Sequence, residues 1–121
     1  MKQNVLCPVC ERHVFEWEND FDICPFCGWE NDGVQGGDHD YWGGANDLTV
    51  NQSKLFFSLS QDIKKKDKLL SLKKTHRDIQ LKIHRKYDGI NHLVYGRKVR
   101  DEFYDEHLRY ISEINKLVSE G

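Results

Sequence analysis

Cys7-Pro8-Val9-Cys10 and Cys24-Pro25-Phe26-Cys27 hold all four cysteines of the chain, within its first 27 residues. Thirteen residues separate Cys10 from Cys24. Two residues between cysteines let one tight turn aim both thiolates at a single ion, and two such turns supply a tetrahedron of soft sulfur ligands. Pro8 and Pro25 hold φ near −65° immediately after each first cysteine, which favours that turn. Backbone N–H groups of the turn can then donate to sulfur. Gly28 follows the second pair, where positive φ is useful, whereas Glu11 stands in the matching place after the first. The residues therefore point to a metal bound by Cys7, Cys10, Cys24 and Cys27. A closed four-sulfur shell leaves no open coordination position, so the chemistry is structural, with one Zn2+ per chain as the first reading. Iron held by similar knuckles, usually farther apart in sequence, is an alternative. A redox CPxC would need a strand–helix setting twice over, which the chain does not offer.

The elements that must carry these turns are short. At 121 residues the chain fits one domain, or a metal module with a helical part. About 60 residues without a metal would hold only a marginal core, and structural zinc supplies roughly 10–16 kcal/mol. Residues 5–31 read as two hairpin-like knuckles. The stretch His13 to Glu18 alternates with β-favouring residues, Asn19-Asp20 is a turn, and Phe21-Asp22-Ile23 leads back to the second pair. Residues 31–47, rich in glycine and aspartate, read as an irregular loop pinned by Tyr41 and Trp42. Thr49-Val50-Asn51-Gln52 is a capping box. It predicts a helix to about Ser58 or Leu59, with Leu55, Phe56 and Leu59 as its apolar stripe.

The second half has helical periodicity. Leu69, Leu72, His76, Ile79, Ile83 and Tyr87 recur at spacings of three and four and share one face. Asp88-Gly89 ends that helix, with Gly89 suited to the left-handed C′ position. Residues 89–96 form a connection. A second long helix is predicted from Arg97 to Ser119, with Phe103, His107, Tyr110, Ile114 and Leu117 on one face and Ile111 and Val118 beside it. The two should form an antiparallel hairpin. The domain reading is a metal module over residues 1–48 and a helical region over residues 49–121.

The run Cys24-Pro25-Phe26-Cys27-Gly28-Trp29-Glu30-Asn31-Asp32-Gly33-Val34-Gln35 is followed by Gly43-Gly44-Ala45-Asn46 and then by the capped helix from Thr49. This resembles the bacterial cysteine-rich CPCC family over about residues 5–58. Members pair an N-terminal CPCC with a downstream CPxC-x-W-E-x-D-G-x-Q stretch, a G-x-N turn and a short helix. The middle cysteine of the family's first motif is Val9 here, so that position is not a required ligand. The resemblance implies a small zinc-ribbon-like module and a bound metal, and no defined activity. The expected fold class is α+β: a small N-terminal zinc-ribbon-like β module with a C-terminal antiparallel helical hairpin.

Charge divides the chain. Residues 1–60 carry three basic and ten acidic residues, a net of −7, whereas residues 61–121 carry fifteen basic and ten acidic, a net of +5. Phosphate contacts need a basic footprint, which the metal half lacks. An acidic face suits a basic protein partner. Candidate partner contacts are Glu30, Asp32, Asp38, Asp40 and Asp47, with Trp42 as an anchor. The function expected is a protein-binding one: an immunity or antitoxin protein that occludes a cognate bacterial toxin, such as a nuclease. The rival is a zinc-ribbon nucleic-acid-binding regulator using Lys64 to Lys74 and Arg77 to Lys86. Asp38-His39-Asp40 reads as turn chemistry more than as a catalytic triplet, and His76 and His107 as core histidines more than as a pair across the hairpin. No nucleotide loop or nucleophile elbow is present, so an enzyme is not expected, nor a small-molecule substrate. The first residues lack an apolar signal segment and no apolar run is long enough for a membrane span, which suggests a cytoplasmic protein.

Overall fold

Phe15 is the one buried side chain in the alternating stretch after the first knuckle, and its strand neighbours stand in solvent. The structure, a computed structural model, describes the backbone of residues 3–87 and 92–120 and the side chains of residues 4–87 and 99–120. Strand β1 (Gln3–Leu6) pairs antiparallel with β2 (Val14–Trp17) in the register Val5 to Phe15 and Leu6 to Val14. Val5 and Phe15 face the core, and Leu6 and Val14 occupy the outer face. Such one-sided burial is what lets a two-stranded sheet persist only when something packs on its inner face. An isolated bridge, Ile23 to Glu30, closes the second knuckle.

Residues 31–47 are more ordered than the irregular loop expected from composition. A short helix α1 (Gly33–Gly37) runs through three glycines, residues that weaken helices by about 1 kcal/mol each relative to alanine. Asp32 offsets this as N-cap, its Oδ1 accepting from the N–H groups of Val34 and Gln35. Helix α2 (Val50–Ser60) follows. Its capping box is formed as the sequence predicts: Thr49 Oγ1 accepts from the Gln52 N–H at 3.1 Å, and Gln52 Oε1 accepts from the Thr49 N–H at 3.0 Å. Its contribution to the core comes from Val50, fully buried, and from Phe57, packed against the cysteine cluster. Of the expected stripe, Leu59 is buried, whereas Leu55 and Phe56 are only half-buried.

The chain divides into two compact units, Met1–Gln61 and Asp62–Gly121. Helix α2 thus falls in the same unit as the cysteines. The physical reason is Val50 and Phe57, which complete the inner face of the small sheet.

The second unit is an antiparallel pair, α3 (Lys66–Lys86) and α4 (His92–Ser119). Leu69, His76 and Ile83 are buried on α3, with Tyr87 buried at its C-cap, and Glu106, His107, Tyr110, Ile114 and Leu117 are buried on α4. Helix α4 begins five residues before the expected Arg97, so residues 92–96 are helical and not a connection. The expected helix end at Asp88-Gly89 lies outside the described residues, although the C-cap Tyr87 is described. Val118, expected beside the apolar face, is exposed. His76 and Glu106 are buried together: His76 Nδ1 lies 3.3 Å from Glu106 Oε1, and the imidazole stacks on the Tyr110 ring with centroids 4.0 Å apart. Arg109 holds the same carboxylate through Nε at 2.8 and 2.9 Å. Burial pushes the Glu106 carboxyl up, but Arg109 and His76 outweigh it and hold it below its ordinary value.

Two predictions follow from this packing. A Cβ at Gly44 would lie 2.5 Å from Asp32 Oδ2 and 2.7 Å from Gln35 Cδ, whereas one at Gly36 would meet nothing within 4 Å. Gly44→Ala should therefore lower unfolding stability by about 1–3 kcal/mol, and Gly36→Ala should be neutral or raise it by roughly 0.5–1 kcal/mol, both read by urea titration. For Glu106 the folded-state pKa lies below the unfolded one, so its contribution is present above the ordinary carboxylate range. It is lost as pH falls through the depressed folded value. Glu106→Gln should flatten that acid limb in pH-dependent melting.

Candidate metal centre

Each cysteine pair sits in a turn closed by the backbone. The Cys7 carbonyl accepts from the Glu11 N–H at 3.0 Å and the Cys24 carbonyl from the Gly28 N–H at 2.9 Å. The Cys7 N–H donates to the His13 carbonyl and the Cys24 N–H to the Trp29 carbonyl, both at 2.8 Å, so the segment after each knuckle holds its base. Gly28 has φ of 81° and Glu11 has φ of 58°. The first knuckle is therefore closed like the second, with a glutamate in the left-handed conformation that glycine takes more cheaply.

The two turns face each other. Cys7 Sγ lies 3.6 Å from Cys27 Sγ and Cys10 Sγ lies 3.5 Å from Cys24 Sγ, and all four sulfurs lie within 4.8 Å of one another. A disulfide needs about 2.05 Å, so these are four free thiols. A tetrahedral ion with metal–sulfur bonds of about 2.3 Å places its sulfurs about 3.8 Å apart. The observed separations fit such an ion, and among the described residues this is the one cluster of metal-ligating side chains with that geometry. Cys7 and Cys24 are buried and Cys10 and Cys27 half-buried. Val9, at the place where the resembled motif has a third cysteine, is buried in the apolar cluster with Phe15, Trp29 and Val50.

The thiols differ in their environment. Burial raises the Cys7 thiol against the N–H groups of Cys10 and Val9. Burial raises Cys27 further, with the sulfurs of Cys24 and Cys7 adding to it and the Trp29 N–H opposing. Burial opposes ionisation of Cys24 too, but the N–H groups of Cys27 and Phe26 and the neighbouring thiols outweigh it and lower its pKa. Cys24 is thus held lower than Cys7 and Cys27, and an arriving cation would displace protons from the two raised thiols.

The first unit also holds a polar lattice built from Gln35, Asn46 and Asn31. Gln35, fully buried, donates from Nε2 to the carbonyls of Tyr41 and Leu48 at 3.3 and 3.2 Å. Its Oε1 accepts from the backbone N–H and Nδ2 of Asn46 at 3.1 and 2.9 Å. Asn46 bonds both backbone groups of Glu30, through Nδ2 at 2.8 Å and Oδ1 at 2.9 Å. Asn31 Nδ2 donates to the Trp17 carbonyl at 2.6 Å, tying the segment to β2. A buried amide that can satisfy four partners specifies one loop path, and the short spacing from Asp32 to Gln35 is the sequence signal for it.

The six expected partner contacts do not share one role. Asp38, Asp40 and Asp47 are exposed, and Glu30 and Trp42 are half-buried. Asp32 is buried, with Oδ1 capping α1 and Oδ2 accepting from the Ala45 N–H at 2.9 Å, so its carboxylate is committed to the loop. Trp42 Nε1 donates to the Asp47 carbonyl at 3.1 Å. Asp38 and Asp40 are joined by turn bonds, and Asp40 Oδ1 accepts from Asn51 Nδ2 at 2.8 Å. His39 is exposed beside them.

The geometry predicts about one divalent ion per chain by elemental analysis. Cys24→Ser should release it and lose the dispersed amide spectrum of the first unit, and metal retention should fall as pH is lowered because protons compete for the raised thiols. Gly28→Ala, which meets no atom but must keep positive φ, should cost about 1–2 kcal/mol. Glu11→Gly should recover up to about 1 kcal/mol at the matching turn, read by the metal concentration needed for folding.

A family model described as Cysteine-rich CPCC matches residues 5–67, which contain all four cysteines, the polar lattice and α2. No curated protein and no solved structure matches the chain.

Proposed function

Since the chain belongs to the cysteine-rich CPCC family, with its knuckles and lattice inside the matched stretch, we propose that it is a zinc-stabilised protein-binding protein. It acts by occupancy and not by catalysis, as an immunity or antitoxin protein that covers a basic surface of a cognate bacterial toxin in the cytoplasm. Zinc is the ion because four thiolates in a closed shell at these separations suit its tetrahedral preference and leave no site for substrate. Among the described residues no helix is long and apolar enough to cross a membrane.

The observation that carries this reading is the surface of the small sheet and its knuckles. Leu6, Val14, Trp17, Phe21, Ile23 and Phe26 are each 42–61% exposed. Glu11, Glu16, Glu18 and Asp22 stand exposed along the same short stretch, with Arg12 as the single exposed cation among them. Large apolar side chains left in solvent inside an acidic surround fit a protein partner that is apolar at the centre and basic at the rim. The exposed Asp38, Asp40 and Asp47 extend the acidic surface for steering.

The test is association with the basic product of the neighbouring reading frame. The complex should form with an association rate that falls about tenfold or more on combining Asp38→Lys, Asp40→Lys and Asp47→Lys at low salt. Val14→Ser with Phe26→Ser should instead speed dissociation. Absence of association, or an affinity indifferent to all five changes, would contradict the proposal.

A further inference from the structure

We propose that one flank of the α3–α4 pair is a docking groove for an acidic amphipathic helix of a partner protein. The opposite flank identifies it. There Lys68 reaches Glu120 at 3.0 Å and Lys86 reaches Glu102 at 2.7 Å. Lys68 and Lys86 stand 18 residues apart in sequence, as do Glu102 and Glu120. At 3.6 residues per turn that is about five whole turns, so each couple shares one side of its helix. The two ion pairs therefore tie the helices along a single flank. Leu70, Arg77 and Leu81 lie about 140–180° round α3 from those lysines. Leu108, Ile111 and Val118 lie about 120–180° round α4 from those glutamates. All six therefore share the other flank.

The exposures agree. Leu70, Leu81, Leu108 and Val118 are each 40–50% exposed, and Ile111 is half-buried. The register set by the ion pairs brings Leu70 about level with Val118, Arg77 with Ile111, and Leu81 with Leu108. Two such columns on antiparallel helices leave a groove between them, about 16 Å long from Leu70 to Leu81. A third helix laid there would touch both columns, as neighbours do in a bundle. It would enter with apolar side chains at i, i+4, i+7 and i+11.

Charge selects the occupant. Lys74 and Arg77 stand exposed between the two leucines of α3. Over the same levels, residues 70–81 and 108–118, the acids are Asp78 and Glu113. Asp78 lies about 100° round α3 from Arg77. Glu113 lies about 160° round α4 from Ile111 and pairs with Lys116 at 3.1 Å. An apolar groove with cations along one side matches a helix that carries glutamate or aspartate beside its apolar stripe. A second copy of this flank would bring the same cations and no acid to meet them. The groove belongs to the second unit, and the proposal does not rest on the partner proposed for the first.

The experiment is fluorescence anisotropy of the full metal-loaded chain with a labelled synthetic helix of about 18 residues, roughly 27 Å long. The peptide carries leucines at i, i+4, i+7 and i+11 with glutamates beside them. Replacing its glutamates by lysines should weaken binding about tenfold or more at low salt. Combining Lys74→Glu with Arg77→Glu should reverse that preference. Leu81→Ser with Leu108→Ser should weaken the glutamate peptide by at least about tenfold. Lys82→Gln, about 140° round α3 from Arg77, should leave it unchanged. All five positions are exposed, and circular dichroism checks that each variant stays folded. No binding of the glutamate peptide would overturn the proposal, as would equal affinity for both peptides or indifference to the serine changes. So would a chain that sediments as a dimer until the serine changes break it, because the flank would then hold a second copy.

Discussion

Four sulfur atoms from two separate turns converge to within 4.8 Å, and the first unit is arranged around that meeting. Phe15, Val9, Trp29 and Val50 form one cluster with Cys7 and Cys24, so the apolar core and the sulfur cluster are the same object. Magnitudes explain why the ion matters. A domain's net stability is about 5–15 kcal/mol, and a structural zinc contributes roughly 10–16 kcal/mol. In a unit with a two-stranded sheet and a handful of buried apolar side chains, that one term is as large as all the stability to be expected. Thiols at 3.5–3.6 Å with no cation between them offer little in exchange, and their thiolates would repel.

The loop after the second knuckle shows a different economy. Its glycines do not favour a helix, yet α1 forms because Asp32, Gln35 and Asn46 satisfy backbone groups on all sides. Gly44 lies so close to Asp32 and Gln35 that a side chain would displace them. Polar side chains here perform the packing that apolar ones perform in larger domains. The second unit uses the same device in the His76, Glu106 and Arg109 group, where the imidazole and the guanidinium both meet a buried carboxylate.

How much of this could be read beforehand depended on whether the signal was local. The cysteine spacing, the Thr49 and Gln52 cap and the α3 face are local patterns, and each is found as read. The pairing of β1 with β2, the role of Phe57 and the burial of Asp32 depend on contacts distant in sequence, which no period reveals. Composition points to an irregular loop over residues 31–47 because glycine and aspartate are turn formers singly, while the lattice works only as a set. Helix α4 starts earlier than expected because residues 89–96, with a glycine at each end, read as a connection, yet a helix tolerates one glycine at a cost of about 1 kcal/mol. Glu106 was passed over because a carboxylate on an apolar face has no signal apart from its partners on two helices.

Charge separates the two halves of the chain: residues 1–60 carry a net of −7 and residues 61–121 a net of +5. The acidic surface proposed for a partner depends on the first unit being a rigid scaffold, which returns to the sulfurs. The most direct measurement is a thiol titration of the purified native chain with a colorimetric disulfide reagent, before and after a strong chelator, with the amide resonances of Phe15 and Val50 followed in the same sample. The account predicts four slow thiols that become fast on chelation, together with collapse of both resonances. Four fast thiols in a chain that holds no ion and keeps both resonances dispersed would contradict it.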